Sequence, residues 1–121
     1  AYVISDGCLI DEGFNRGNID VKNYIKRGLI DGEKFTTKSK PEDLFELVRK
    51  ENIDELIQDL PVKRLHYVAS NGCSLFLREA IEKMDDELFD IFMRYHLSIC
   101  EREDLVGFTS NSLDILEYIG D

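Results

Sequence analysis

A short pattern recurs along this chain and constrains its fold more than any other feature. Four segments (17–21, 51–55, 84–88 and 111–115) each combine a small or polar residue, one or two acidic residues and an apolar run. Their starts are separated by 34, 33 and 27 residues. A period near 33 residues is typical of helical repeat arrays, in which each repeat is one supersecondary unit. The pattern therefore predicts a stack of helix pairs.

The spacing of apolar residues predicts where these helices lie. It indicates an all-α fold of about four helix pairs, near residues 9–27, 42–60, 74–96 and 103–119. The Asp6-Gly7 pair between apolar residues is a signal for a short N-terminal β-hairpin, with an irregular lead into the first helix as the alternative. Truncation of Phe92 to alanine is expected to cost about 3–5 kcal/mol. The predicted core positions are Leu47, Leu56, Ala80, Leu88, Ile91, Phe92, Ile115 and Leu116.

Length and composition favour one domain, residues 1–121, in a reducing compartment. The longest uncharged stretch runs from Val68 to Leu77, well short of the roughly 20 apolar residues of a membrane helix. The N-terminus lacks the basic and apolar segments of a secretory signal. The three cysteines, Cys8, Cys73 and Cys100, are odd in number and widely spaced. We therefore expect a cytoplasmic protein with reduced thiols and no membrane contact.

One stretch of the chain resembles a known repeat family. Residues 65–72 read Leu-His-Tyr-Val-Ala-Ser-Asn-Gly, and with Phe76-Leu77 and Ala80-Ile81-Glu82-Lys83 they resemble the ankyrin repeat. Segments 17–28 and 112–119 look like the second half of such a repeat, although no Thr-Pro-Leu-His tetrapeptide occurs. The resemblance implies an array that binds partner proteins on a concave face and carries no cofactor. It also implies that His66 orders a turn by hydrogen bonding to the backbone.

Charge is distributed unevenly along the chain, whose formal net charge is -10. Residues 1–40 hold seven basic and six acidic side chains, a net of +1, whereas residues 41–121 hold eight and nineteen, a net of -11. A negative field of this kind repels nucleic acid and anionic membranes and attracts basic proteins. The alternative is that the acidic residues serve solubility alone.

No constellation of residues in the sequence indicates catalysis. His96 and Cys100 have a spacing compatible with two metal ligands, but no second pair completes a site. His66 and Cys73 could form a thiol–imidazole pair only by chance proximity. Cys8 and Cys73 both follow Ser-[Asp/Asn]-Gly, which indicates turn chemistry. The sequence therefore predicts no catalytic residue, no metal site and no cofactor.

The combination of size, charge and repeat pattern favours a small acidic interaction protein over an enzyme. We expect an inhibitor that occludes a basic surface of a partner protein and does not bind nucleic acid directly. Immunity proteins that neutralise nuclease toxins, and phage proteins that block DNA-binding enzymes, are analogues in size and charge. The alternative is a general adaptor or regulatory subunit; the oligomeric state stays open. The expected partner-binding residues are Asp85, Asp86, Glu87, Asp90, Glu101, Glu103 and Asp104.

Overall fold

The computed structural model describes residues 1–38 and 46–120, and its centre is a four-stranded mixed sheet. The strands are β1 (Tyr2–Ile4), β2 (Leu47–Val48), β3 (Val62–Ala69) and β4 (Asn111–Tyr118), in the spatial order β2-β1-β4-β3. β1 and β2 are parallel, and β4 is antiparallel to both β1 and β3. The last strand of the chain is therefore an inner strand of the sheet.

Helical segments fill the connections between these strands. The first, α1 (Ser5–Cys8), continues as a π-helical segment over Leu9–Asn15. A 3₁₀ segment, Gly72–Leu77, follows β3. The remaining helices are α2 (Val21–Lys26), α3 (Lys50–Ile57), α4 (Arg78–Glu82), α5 (Asp86–Ile99) and α6 (Glu103–Val106).

The sheet shows that the prediction of an all-α, ankyrin-like array was wrong. Helices do occupy much of 9–27 and 74–96, but 42–60 contains β2 and the single helix α3, and its residues 42–45 lie outside the described part of the chain. Within 103–119 only α6 is helical, and the remainder is dominated by β4. The predicted N-terminal hairpin is also wrong, because Asp6 and Gly7 belong to α1.

The exposure pattern of β4 explains why the spacing of apolar residues predicted a helix there. The apolar residues of β4 satisfy a helical spacing, yet exposure alternates from Asn111 to Glu117: Ser112, Asp114 and Leu116 are protected, whereas Leu113, Ile115 and Glu117 are exposed. Period-two alternation is the mark of a strand with one covered face. Here polar residues occupy most of the covered positions, which hid the alternation.

The core lies between the covered face of the sheet and α3. Ile4, Val48 and Ile53 form one buried cluster, with Tyr2 and Tyr67 packed against it. The predicted core positions were wrong: Leu47, Phe92 and Leu116 are only partly buried, and the other five are exposed. The exposed five are Leu56, Ala80, Leu88, Ile91 and Ile115.

A set of ion pairs fastens α3 to the sheet. Arg64 on β3 donates to both carboxylate oxygens of Asp114 on β4, with Nε–Oδ1 at 2.7 Å and Nη2–Oδ2 at 2.8 Å. Its Nη1 donates to Asp54 of α3 at 2.9 Å, and Lys50 Nζ reaches the same carboxylate at 2.8 Å. The side chain of Asp114 is only 2% exposed. Bidentate pairing satisfies this buried charge, which would otherwise be costly.

The two Ser-[Asp/Asn]-Gly-Cys segments occupy equivalent places in the fold. Each follows a strand, β1 or β3, and each glycine lies against Thr109, just before β4. A Cβ on Gly7 would clash with the Thr109 carbonyl oxygen, and Gly72 N donates to Thr109 Oγ1 at 3.0 Å. The repeated motif therefore lets two helical segments start close to the beginning of the central strand.

Candidate partner-binding surface

The most unusual element of the described structure is α5, which has 14 residues and no buried one. It begins at a well-formed cap, because Leu88 N donates to the Asp85 carboxylate at 2.8 Å. Asp86 and Glu87 lie in its first turn, where the helix dipole favours negative charge. An Arg94–Asp90 pair at 3.0 Å adds i,i+4 support. α5 therefore forms by local interactions more than by packing.

Two apolar stripes of α5 face solvent. Leu88, Ile91 and Tyr95 are 49%, 46% and 55% exposed, and they lie three to four residues apart. The second stripe is Phe89, Met93 and Leu97. A helix that is apolar on most sides is normally buried, so this exposure makes α5 the candidate contact surface of the described structure.

A third stripe holds α5 to the rest of the domain. Phe92, His96 and Ile99 are partly buried and follow a helical spacing. The His96 ring lies over Gly72, where an added Cβ would be 3.2 Å from Cε1. Gly72 has φ of +52°, so the backbone there also favours glycine. At the end of α5, Ala69 N donates to the carbonyl oxygen of Cys100 at 2.7 Å.

A cavity of about 260 Å³ opens between this end of α5 and the segment around α6. Tyr95, His96, Ile99 and Cys100 form one wall. Leu105 and Phe108 lie among the residues that close the cavity, together with Ala69, Gly72 and Cys73. Its lining is mostly apolar, and it continues the exposed stripe of α5 through Tyr95.

The seven predicted acidic residues do not form one patch. Asp85, Asp86, Glu87 and Asp90 lie at the start of α5, and Glu101, Glu103 and Asp104 lie just beyond its end. A 14-residue helix is about 21 Å long, so the two groups lie on either side of an apolar surface. The sequence analysis predicted the acidic residues as partner-binding and did not predict the apolar surface between them.

Several of these carboxylates have partners within the chain. Glu101 Oε1 lies 2.6 Å from Nδ1 of His66, and Asp104 accepts from Arg102 at 2.9 and 3.0 Å. The hydrogen bond from Arg102 lowers the pKa of Asp104 below its ordinary value. Asp86, Glu87 and Glu103 are exposed, which leaves their charge available to a partner.

The histidine and cysteine candidates separate into two places. His66 contacts Glu101, where the resemblance implied a backbone hydrogen bond. His96, Cys73 and Cys100 line the α5 cavity, whereas His66 lines a different one beside Lys50 and Arg64. Across the described residues, no group of three or more His, Cys, Asp or Glu side chains is arranged to hold a metal ion. All three cysteines are free thiols.

One signal in the sequence could have revealed this surface. α5 carries too many apolar residues for a single buried face, whereas the sequence analysis placed Leu88, Ile91 and Phe92 together in the core.

Among residues 1–38 and 46–120, no helix is long and apolar enough to cross a membrane. Comparisons of the chain with protein families, with curated proteins and with solved structures found no match.

Proposed function

We propose that this protein is a cytoplasmic interaction module that binds a basic protein through α5. The observation that supports this most strongly is the 14-residue helix without a buried residue. An apolar centre with a polar rim is the usual anatomy of a protein interface. The acidic groups at both ends of α5 supply such a rim.

The binding mode that fits this geometry is a helix in a groove. An amphipathic helix of this kind lays its apolar face into a partner's hydrophobic groove, and its side chains act as anchors three and four residues apart. Leu88, Ile91 and Tyr95 have that spacing. Five acidic residues and one arginine lie between 84 and 101, so a groove rimmed by Lys and Arg complements the helix.

The narrower form of the proposal is an inhibitor. A nuclease or another DNA-binding enzyme can have a hydrophobic groove rimmed by basic residues. A protein that covers this groove would block access of nucleic acid to it. The chain would then act by occlusion and not by catalysis. A general adaptor differs from this only in the identity of its partner, so the captured protein decides between the two.

The test is affinity capture from the native host, followed by measurement of Kd against salt with the purified partner. The triple charge reversal Asp86→Lys, Glu87→Lys and Asp90→Lys should weaken binding and flatten its salt dependence, because rim charges mainly set association rates. The matched control reverses Glu51, Glu55 and Asp59, an equal charge change on and just beyond α3, where all three are exposed.

The two variants separate a local effect from a general one. Far-UV circular dichroism checks that both variants stay folded and that α5 persists, because Asp86 and Glu87 support the start of that helix and Asp90 pairs with Arg94. A wild-type Kd and salt slope in the α5 variant would show that the acidic residues serve solubility alone. Equal weakening in both variants would show attraction by net charge without a specific surface.

A further inference from the structure

The cavity at the end of α5 is too small for a drug-sized ligand. Its volume of about 260 Å³ lies just below the roughly 300–1,000 Å³ typical of small-molecule sites. That volume suits a single bulky side chain. Cavities of this kind hold the anchor residues that carry most of an interface's binding energy, and these anchors are enriched in Trp, Tyr and Arg.

The walls of the cavity select an apolar or aromatic occupant. Tyr95 and Phe108 are 55% and 54% exposed, so both rings have faces free to stack on an entering ring. Ala69, also part of the lining, is 3% exposed and adds a buried apolar side chain to the wall. Aromatic pairs of this kind add to the free energy of burial through edge-to-face or offset stacking.

Charged residues next to the cavity favour a particular charge on the residues that flank the bound side chain. Glu101 follows the lining residue Cys100, and Asp104 precedes the lining residue Leu105. Between 101 and 104 the chain carries three carboxylates and one guanidinium. A basic residue beside the anchor would meet this excess of negative charge.

We infer that the cavity receives one bulky aromatic side chain that is flanked by Lys or Arg in a protein partner. The inference rests on the proposed function and adds the anchor residue to it. Because Tyr95 belongs to both the exposed stripe and the cavity, a single partner segment can contact α5 and fill the cavity.

The cysteines allow a direct test with the native chain. Cys73 and Cys100 line the cavity, whereas Cys8 does not and its pKa is raised by burial and by nearby Glu12 and Asp11. Each thiol is labelled with a disulfide reagent, and the rate of labelling at each cysteine is measured by mass spectrometry. The probes are three blocked dipeptides: tryptophanyl-arginine amide, tryptophanyl-glutamate amide and glycyl-arginine amide.

The expected result is selective protection. A probe at twice its dissociation constant slows labelling about threefold, since only the free form reacts. Tryptophanyl-arginine should slow the labelling of Cys73 and Cys100 at the lowest concentration. Tryptophanyl-glutamate should need a higher concentration, and glycyl-arginine should have no effect on either rate. Cys8 should react at an unchanged rate with every probe, because its surroundings are not part of the cavity.

Three other outcomes overturn the inference. Equal effects of the tryptophanyl and glycyl probes, or an equal change at Cys8, would show that no aromatic site exists. Absence of protection up to the solubility limit would do the same. None of these results affects the salt-dependent binding of the Asp86, Glu87 and Asp90 variant. Conversely, the probes could protect Cys73 and Cys100 while affinity capture returns no basic protein. That result would overturn the proposed function, but the aromatic site in the cavity would stand.

Discussion

α3 and α5 use their apolar residues in opposite ways. α3 has eight residues, yet its Ile53 is fully buried and its Asp54 is tied to Arg64 on the sheet. α5 is nearly twice as long and more apolar, but none of its residues is buried. The shorter helix therefore stabilises the fold. The apolar surface of the longer helix stays exposed, which is why we propose it as the contact surface.

The charged residues of the two regions differ in the same way. Asp114, beneath α3, is 2% exposed and receives two hydrogen bonds from one guanidinium. Asp90 of α5 is 71% exposed, and its partner Arg94 is 70% exposed. Ion pairs in solvent contribute little to stability, whereas a buried charge depends on its partner. Substitutions in the two regions should therefore have unequal effects.

The largest difference is expected between Arg64→Met and Arg94→Met. Removing Arg64 leaves Asp114 as a buried carboxylate without its partner, and breaking such a pair costs roughly 3–5 kcal/mol. Removing Arg94 should change the free energy of unfolding by about 0.5 kcal/mol or less. Urea unfolding of both variants at pH 7 measures the difference. Equal losses would show that α5 belongs to the cooperative core.

A second comparison uses the same substitution in both helices. Ile53→Val removes one methyl group from a fully buried side chain and should cost about 0.5–1.5 kcal/mol. Ile91→Val is matched, because the lower helix propensity of valine affects both helices, but Ile91 is 46% exposed. The excess cost at position 53, measured by urea unfolding, reports burial alone. A larger cost at position 91 would place the core on α5.

The sequence predicted helices better than it predicted their packing. α5 begins inside the predicted 74–96 segment and extends three residues beyond it. It could be predicted because its cap at Asp85 and the spacing of its apolar residues are local signals. β3 and β4 could not be recognised in this way. Their pairing joins residues such as Tyr67 and Asp114, which are distant in the chain, and a short apolar run fits a helix and a strand equally well.

Because local patterns do not show what a residue packs against, the predictions for Phe92 and for the candidate surface were also wrong. Phe92 is only half-buried, so its truncation should cost less than the 3–5 kcal/mol expected from the sequence. An apolar stripe has the same sequence pattern whether it packs inside the chain or against a partner. Charge predicted exposure better, because the seven acidic residues at both ends of α5 are all at the surface.

The smallest expected effect is the pH dependence of stability, which should depend on a buried carboxylate outside α5. Asp11 is 2% exposed and accepts from Arg78 at 2.9 and 2.8 Å. Hydrogen bonding to Arg78 and Asn15 lowers the pKa of this carboxyl below its ordinary value, against the opposing effect of burial. A lowered pKa means that the folded state binds its proton less readily than the unfolded state. The resulting stability is therefore present above the unfolded value of about 3.9 and is lost as pH falls through the folded one.

Asp11→Asn removes this titration, so its free energy of unfolding should decrease less than that of the native protein between pH 5 and pH 3. Urea unfolding of both proteins across this pH range measures the difference. An unchanged slope in Asp11→Asn would contradict the interpretation of Asp11 as a buried carboxylate whose ionised form stabilises the fold.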